Sequence, residues 1–190
     1  PSAYRRTNGS TVIDATLTSD PNDPSKDILD NTARLREHSL NLDGSGYAQV
    51  ADADSLDFDA GAFSIDGWAK FTFVNSGSSQ GNAIFINGGN PVGASSGSFA
   101  ILTNITGGNR RLKFFVNGSE IDANINSEVA DGDWFHFAAT RSSSGNLELY
   151  VNSSSVGTLS AAGNSGATVA TTAVRSIGRD STDTGRNYKN

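Results

Sequence analysis

Two carboxylates stand two residues apart at Glu120-Ile121-Asp122, a spacing that puts both side chains on one face of a β-strand. Retaining glycoside hydrolysis needs a nucleophile and a general acid about 5–5.5 Å apart, and a strand reading Glu-x-Asp-x-x-Glu supplies such a pair. Here Ile125 stands where the second glutamate would be, and Glu128 is out of register. The two acids therefore read as polar residues on a strand returning from the Asn117-Gly118 turn, and hydrolysis of β-glucans is not expected. His136 has only His38 as a second imidazole, with no serine and aspartate grouped around it. A partly buried, hydrogen-bonded structural role is expected for it.

Trp68 and Trp134 each carry a flat apolar face on which a sugar ring can stack, and both alternate away from the main Phe set of their strands. Asp43, Asp52 and Asp54, with Asp57 and Asp59 close behind, crowd one turn region. Calcium takes roughly 6–8 oxygen ligands, including carboxylates, so these acids are the candidate metal ligands. Asp180 and Asp183 lie in a second acidic loop, Arg179-Asp180-Ser181-Thr182-Asp183, and join the two tryptophans as candidate ligand-binding residues. No spacing matches an EF-hand loop, and such clusters are more often solvated acidic loops. Near the N terminus, Tyr4, Arg5 and Arg6 form an aromatic and cationic head suited to docking into an acidic groove.

The elements that must position these residues are short. The chain has 190 residues, enough for one good-sized core, with 21 Gly and 10 Phe but only 4 Pro. Many turns and bulky core material fit an all-β fold. A net charge of -6 opposes a phosphate-binding surface, so nucleic acid is excluded as the main ligand. With no cysteine there is neither a disulfide framework nor a thiolate metal site. No segment approaches the roughly 20 apolar residues of a membrane-spanning helix. No signal-peptide core follows Pro1, so neither membrane insertion nor export by the usual route is expected.

Residues 1–37 are polar, with Asp20-Pro21-Asn22-Asp23-Pro24 marking a turn or linker. They read as an irregular N-terminal arm, in which Ser25 caps a short candidate helix through Leu35. The arm has too few large apolar residues for a core of its own and needs a partner surface, either a sister subunit or another protein. From His38 to Asn190 short apolar runs alternate with Gly, Ser, Asn and Asp clusters, as antiparallel strands joined by turns do. Along 62–73, Phe63, Ile65, Gly67, Ala69, Phe71 and Phe73 share one face, and Ser64, Asp66, Trp68, Lys70 and Thr72 share the other. The predicted core comprises Phe63, Ile65, Phe71, Phe114, Val116, Phe137, Leu147 and Leu149. Asn117-Gly118 and Asn152-Ser153 each follow a strand, which predicts two hairpins of similar chemistry.

Five blocks in order carry a resemblance. The run from Ser39 to Val50 resembles the opening "FDGSGDYV" of laminin G-like and pentraxin-like domains in the concanavalin A-like lectin and glucanase superfamily. The run from Phe63 to Lys70 resembles "FTISAWVK", and that from Asp133 to Arg141 resembles "DWTHVAVTR". The run from Leu147 to Asn152 resembles "LRLYVNG", and Ser176 to Arg179 the late "IGR". The resemblance implies a two-sheet antiparallel jelly-roll sandwich whose concave face and loops bind sugars or proteins, often with calcium at a rim. It also implies that the tryptophans pack the interior or the underside of a loop.

A non-catalytic binding or attachment module is the function expected. The setting favoured is a virion component of a tailed phage, such as a fibre, appendage or capsid decoration. There the arm would dock on a virion protein or sister subunit, and the sandwich would face outward towards a cell-surface glycan. The alternatives are a carbohydrate-binding module of a secreted bacterial protein and, less favoured, a glycoside hydrolase.

Overall fold

The computed structural model describes residues 3–8, 11–16, 40, 42, 46–70, 72–73, 82–87, 97–160, 162–170 and 172–178. The chain divides into two compact units, Pro1–Asn41 and Leu42–Asn190. In the first, strands β1 (Ala3–Asn8) and β2 (Thr11–Thr16) pair antiparallel from Ala3↔Thr16 to Asn8↔Thr11. This corrects the irregular arm expected from composition. Polarity concealed a run of β-branched residues, Thr7, Thr11, Val12, Ile13 and Thr16, which favour extended backbone. Tyr4, Arg5 and Arg6 all belong to β1. The candidate helix from Ser25 to Leu35 lies outside the described residues.

The second unit is a sandwich. Strands β4 (Phe63–Lys70), β9 (Trp134–Arg141), β10 (Leu147–Val151) and β11 (Ser154–Leu159) form a four-stranded antiparallel sheet in the order β11-β10-β9-β4. A six-stranded sheet in the order β3-β12-β5-β6-β7-β8 contains β3 (Ala48–Val50), β5 (Asn82–Asn87), β6 (Phe99–Thr106), β7 (Asn109–Val116), β8 (Ser119–Asn124) and β12 (Arg175–Ile177). Among the described residues no helix is long and apolar enough to cross a membrane.

The alternation read from sequence holds. Phe63, Phe114, Val116, Phe137, Leu147 and Leu149 are buried in the main core, and Ile65 packs against it. Phe71 lies outside the described residues. Phe63 stacks on Phe58 at a centroid distance of 4.4 Å and meets Phe114 edge-on at 6.4 Å, so the β4 face is pinned to the opposite sheet. A second cluster, Ala83, Ile86, Ala100, Leu102 and Phe115, is buried on the other face of the six-stranded sheet. That explains why Phe99-Ala100-Ile101-Leu102 shows no alternation: this sheet is buried on both sides there.

Both predicted hairpins form. Val116↔Ser119 encloses Asn117 and Gly118 at φ 49° and 81°, and Val151↔Ser154 encloses Asn152 and Ser153 at φ 48° and 70°. Two consecutive positive φ values match the twist of the flanking strands, and glycine meets that demand without steric penalty. Ser153 holds the same conformation with a Cβ. Ser153→Gly is therefore expected to stabilise the protein by about 0.5–1 kcal/mol, the left-handed penalty less the added chain entropy of glycine. Urea denaturation measures it, and an unchanged or lowered midpoint would refute the strain.

Candidate functional site

The register of β4 against β9 places Trp68 opposite His136 and Lys70 opposite Trp134. Apart from Gly67 and Arg141 the inward set of both strands is aliphatic or aromatic, so the alternate residues are driven out to solvent. Trp68 is 66% exposed and Trp134 51%. They are diagonal neighbours on one face, and interior packing, as the resemblance implied, is corrected for both. Sequence alternation had already put them opposite the Phe set. The His136 ring lies between them in the lattice of the sheet, 5.4 Å from the Trp68 ring at 55°. Its Nε2 is 3.4 Å from Asp66 Oδ2. The strand is fixed beneath it, because the His136 N–H donates to Asn152 Oδ1 at 3.0 Å and its carbonyl accepts from the Asn152 N–H at 2.9 Å.

Glu148 and Tyr150 continue this face on β10, Tyr150 lying opposite Ala138, which in turn faces Asp66. The Tyr150 hydroxyl donates to Glu148. That bond, then desolvation, then the Glu148 charge hold the phenol above its ordinary range. Since the raised group is neutral when protonated, any stability it lends is complete below the ordinary tyrosine range. It is lost as pH rises through the elevated value. In an ultraviolet titration, Glu148→Ala should move one phenol's ionisation to lower pH. Superimposed curves for the variant and the parent would disprove the coupling.

The other sequence candidates do not gather here. Arg175, almost fully buried, donates through Nη1 to Asp52 and through Nη2 to Asp57, tying β12 to the segment after β3. The Asp52 carboxylate thus already faces a guanidinium, a poor environment for a cation. Asp54 opens a single exposed 3-10 turn, Asp54–Leu56. Asp43, Asp180 and Asp183 lie outside the described residues. Among the described residues no three His, Asp or Glu side chains are grouped to hold a metal ion. Glu120 and Asp122 share one ammonium, with Lys113 Nζ at 3.0 Å and 3.3 Å, and Asp122 also accepts from Arg111 at 2.8 Å. Ile125 is fully buried in the core. Two carboxylates bridged by a lysine do not flank an open cleft as an acid and a nucleophile must.

Sequence reasoning missed the roles of Asp66, Tyr150, Arg141 and Arg175. Arg141 alone carried a signal, since it falls in phase with the buried Phe135, Phe137 and Ala139.

This fold is that of a concanavalin A-like β-sandwich domain. Residues 42–189 match the model of the Laminin_G_3 family, described as concanavalin A-like lectin/glucanases superfamily, and the chain belongs to that family. No curated protein matches it in sequence. Among solved structures it is similar to the native heptameric SAP-like pentraxin of Limulus polyphemus, with 17% identity, TM-score 0.51, and coverage of 78% of this chain and 74% of the pentraxin. Domain 4 of an extracellular arabinanase from Geobacillus stearothermophilus, in complex with arabinotriose, shares 17% identity at TM-score 0.50, covering 78% of this chain and 64% of that one. The binding domain of Paraclostridial Mosquitocidal Protein 1 shares 16% identity at TM-score 0.52, covering 77% of this chain and 36% of that one. At these identities the likeness concerns the fold.

Proposed function

We propose that this chain is a non-catalytic binding module that takes its ligand on the outer face of the four-stranded sheet. The observation that carries the reading is the pair of exposed tryptophans on adjacent strands. Such rings are the side chains that most often anchor a partner, and leaving two of them in water opposes solubility unless the face is used. The pairing of Glu120 and Asp122 with Lys113 supports a role without hydrolysis. Calcium enters the proposal through the turn that carries Asp43 and Asp54, and a chelator that lowers the melting temperature is its test.

Trp68 and Trp134 are the only tryptophans in the sequence, so intrinsic fluorescence reports on this face alone. A ligand bound there should shift or quench the emission, and Trp68→Ala with Trp134→Ala should abolish its binding. A ligand held equally well by the double variant would place the site elsewhere.

The division at Asn41 and Leu42 supports a wider setting, in which the first unit attaches and the sandwich is displayed, as on a tailed-phage appendage. A secreted bacterial carbohydrate-binding module is the alternative. Deleting Pro1 through Pro24 should then prevent joining of the native assembly while the sandwich still melts cooperatively. Full occupancy by the truncated protein would show that the sandwich makes the attachment.

A further inference from the structure

We infer that the partner of this face is a second copy of the chain, docked face to face about a twofold axis that passes through the Trp68 position. The inference rests on the reading that this face is the binding surface and names what binds there. Charge and shape both lead to it.

Charge comes from the order of residues along β4. Asp66, Trp68 and Lys70 follow one another on the exposed side, so a carboxylate and an ammonium flank the indole at equal strand distances of about 6.8 Å. A twofold axis lying in the interface, across the strands, sets β4 of one copy against β4 of the other in antiparallel sense. Trp68 then meets the partner's Trp68. Lys70 faces the partner's Asp66, and Asp66 faces the partner's Lys70, so both ends close on opposite charge. An unrelated partner imposes no relation between the two ends of a strand, whereas a twofold requires the surface to complement itself. Lys70 has three N–H donors, enough to serve its own chain and the partner's carboxylate together. Asp66, with a side-chain exposure of 69% and a long 3.4 Å contact with His136, has acceptor capacity to spare.

Shape comes from β9. The same axis sets β9 against β9, so Trp134, two residues before His136, lies over the partner's Ala138, two residues after it. Ala138 is the smallest side chain on the exposed side of this strand, and it stands between Asp66 and Tyr150, which leaves a hollow for an indole. His136 meets the partner's His136, and a neutral imidazole carries one donor and one acceptor, so one ring gives the bond that the other takes. Two twisted sheets stack in this way with their strands about 30° from alignment.

Size sets the strength. Four strands about 4.8 Å apart give a face roughly 15–20 Å on a side, smaller than a standard interface. Each copy also carries a net -6, which repels the other at long range until salt screens it. The dimer is accordingly weak, with a dissociation constant in the micromolar range or above.

The experiment is sedimentation velocity of the full chain at about 0.15 M salt, from roughly 1 to 500 μM, with tryptophan emission followed on dilution. The mean mass should rise from monomer towards dimer with concentration. Trp68→Ala should raise the dissociation constant about tenfold or more, the loss typical of truncating a central aromatic anchor. Lys70→Asp leaves only acids flanking the indole, and Asp66→Lys only cations. Each alone should associate at least about tenfold more weakly than the parent, and an equimolar mixture of the two should associate as the parent does, since each offers the charge that the other lacks. All three variants should melt as the parent does, because the side chains are exposed.

A chain that stays monomeric throughout would overturn the inference. The binding face would stand in that case if another ligand changed the emission and lost its hold when both tryptophans were replaced. Self-association that survives Trp68→Ala and both charge reversals would overturn the inference by placing the contact elsewhere. A mixture that fails to associate, when each charge variant alone is weakened, would remove the pairing of Lys70 with Asp66 and the twofold with it.

Discussion

Arg141→Met is expected to destabilise the sandwich by about 3–4 kcal/mol, the combined worth of hydrogen bonds from a charged donor less the desolvation it no longer suffers. Arg141 ends β9 on the core side and is only 1% exposed. Its Nη1 donates to the Asp59 carbonyl at 3.2 Å, and its Nη2 donates to the Asn164 and Ala167 carbonyls at 2.5 Å and 2.7 Å. Among the described residues no carboxylate opposes this charge. Backbone dipoles alone receive it, and burial lowers the guanidinium pKa.

Two segments converge on this one side chain. Asp59 bridges to Val169, Asn164 Nδ2 reaches the Val116 carbonyl at 3.2 Å, and the Ala167 N–H closes a turn on Asn164. Methionine fills most of the volume and donates nothing, so the turns around Asp59 and Asn164 lose their common anchor. Arg141→Lys retains the charge but not the planar fork, and should recover only part of the loss. For a unit of this size the change corresponds to a fall of roughly 10 °C in melting temperature. A loss below about 1 kcal/mol for the methionine variant would show that the carbonyls find other donors, water included.

The legibility of this molecule follows where the physics is local. In β4, alternation of period two assigned Phe63 and Ile65 to the core and Trp68 to the other face, because one face of that sheet is wet. The same rule failed for Leu102 and Phe115, which lie out of phase with their buried neighbours and are themselves buried on the far face of the six-stranded sheet. The Asn117-Gly118 turn was readable because its conformation is written in two residues. By contrast, the β1–β2 hairpin was hidden by composition: its Thr and Arg residues read as polar linker although Val12, Ile13 and the threonines favour extended backbone. The proposed binding face was half legible. That Trp68 and Trp134 point away from the core could be read from each strand separately. That they are diagonal neighbours depends on the β4–β9 register, which links positions far apart in sequence and leaves no local trace. Asp52 shows the same limit from the other side, since it reads as a metal ligand until Arg175, far along the chain, is placed against it.

Gly157→Ala is expected to destabilise by about 1–3 kcal/mol, the range for forcing one extra carbon into a packed core. The two sheets close on each other along the edge where β11 meets β8. A Cβ added at Gly157 would stand 2.4 Å from Ile121 Cγ2 and 3.8 Å from Ala123 Cβ. The first distance is far inside van der Waals contact. Ile121 cannot swing aside, because it is β-branched and buried within the main cluster. The strain must then be relieved by parting the sheets, which the terminal strand β11, paired among the described residues only with β10, resists least. Ile121→Leu removes the Cγ2 branch at nearly constant volume, so the double variant should regain at least about 1 kcal/mol over the sum of the single effects. Strict additivity in that cycle would disprove direct contact as the cause. Because Gly157 points inward, ligand-induced changes in tryptophan emission should persist in the alanine variant at temperatures where it remains folded. Stability and binding are thus separable on opposite faces of the same sheet.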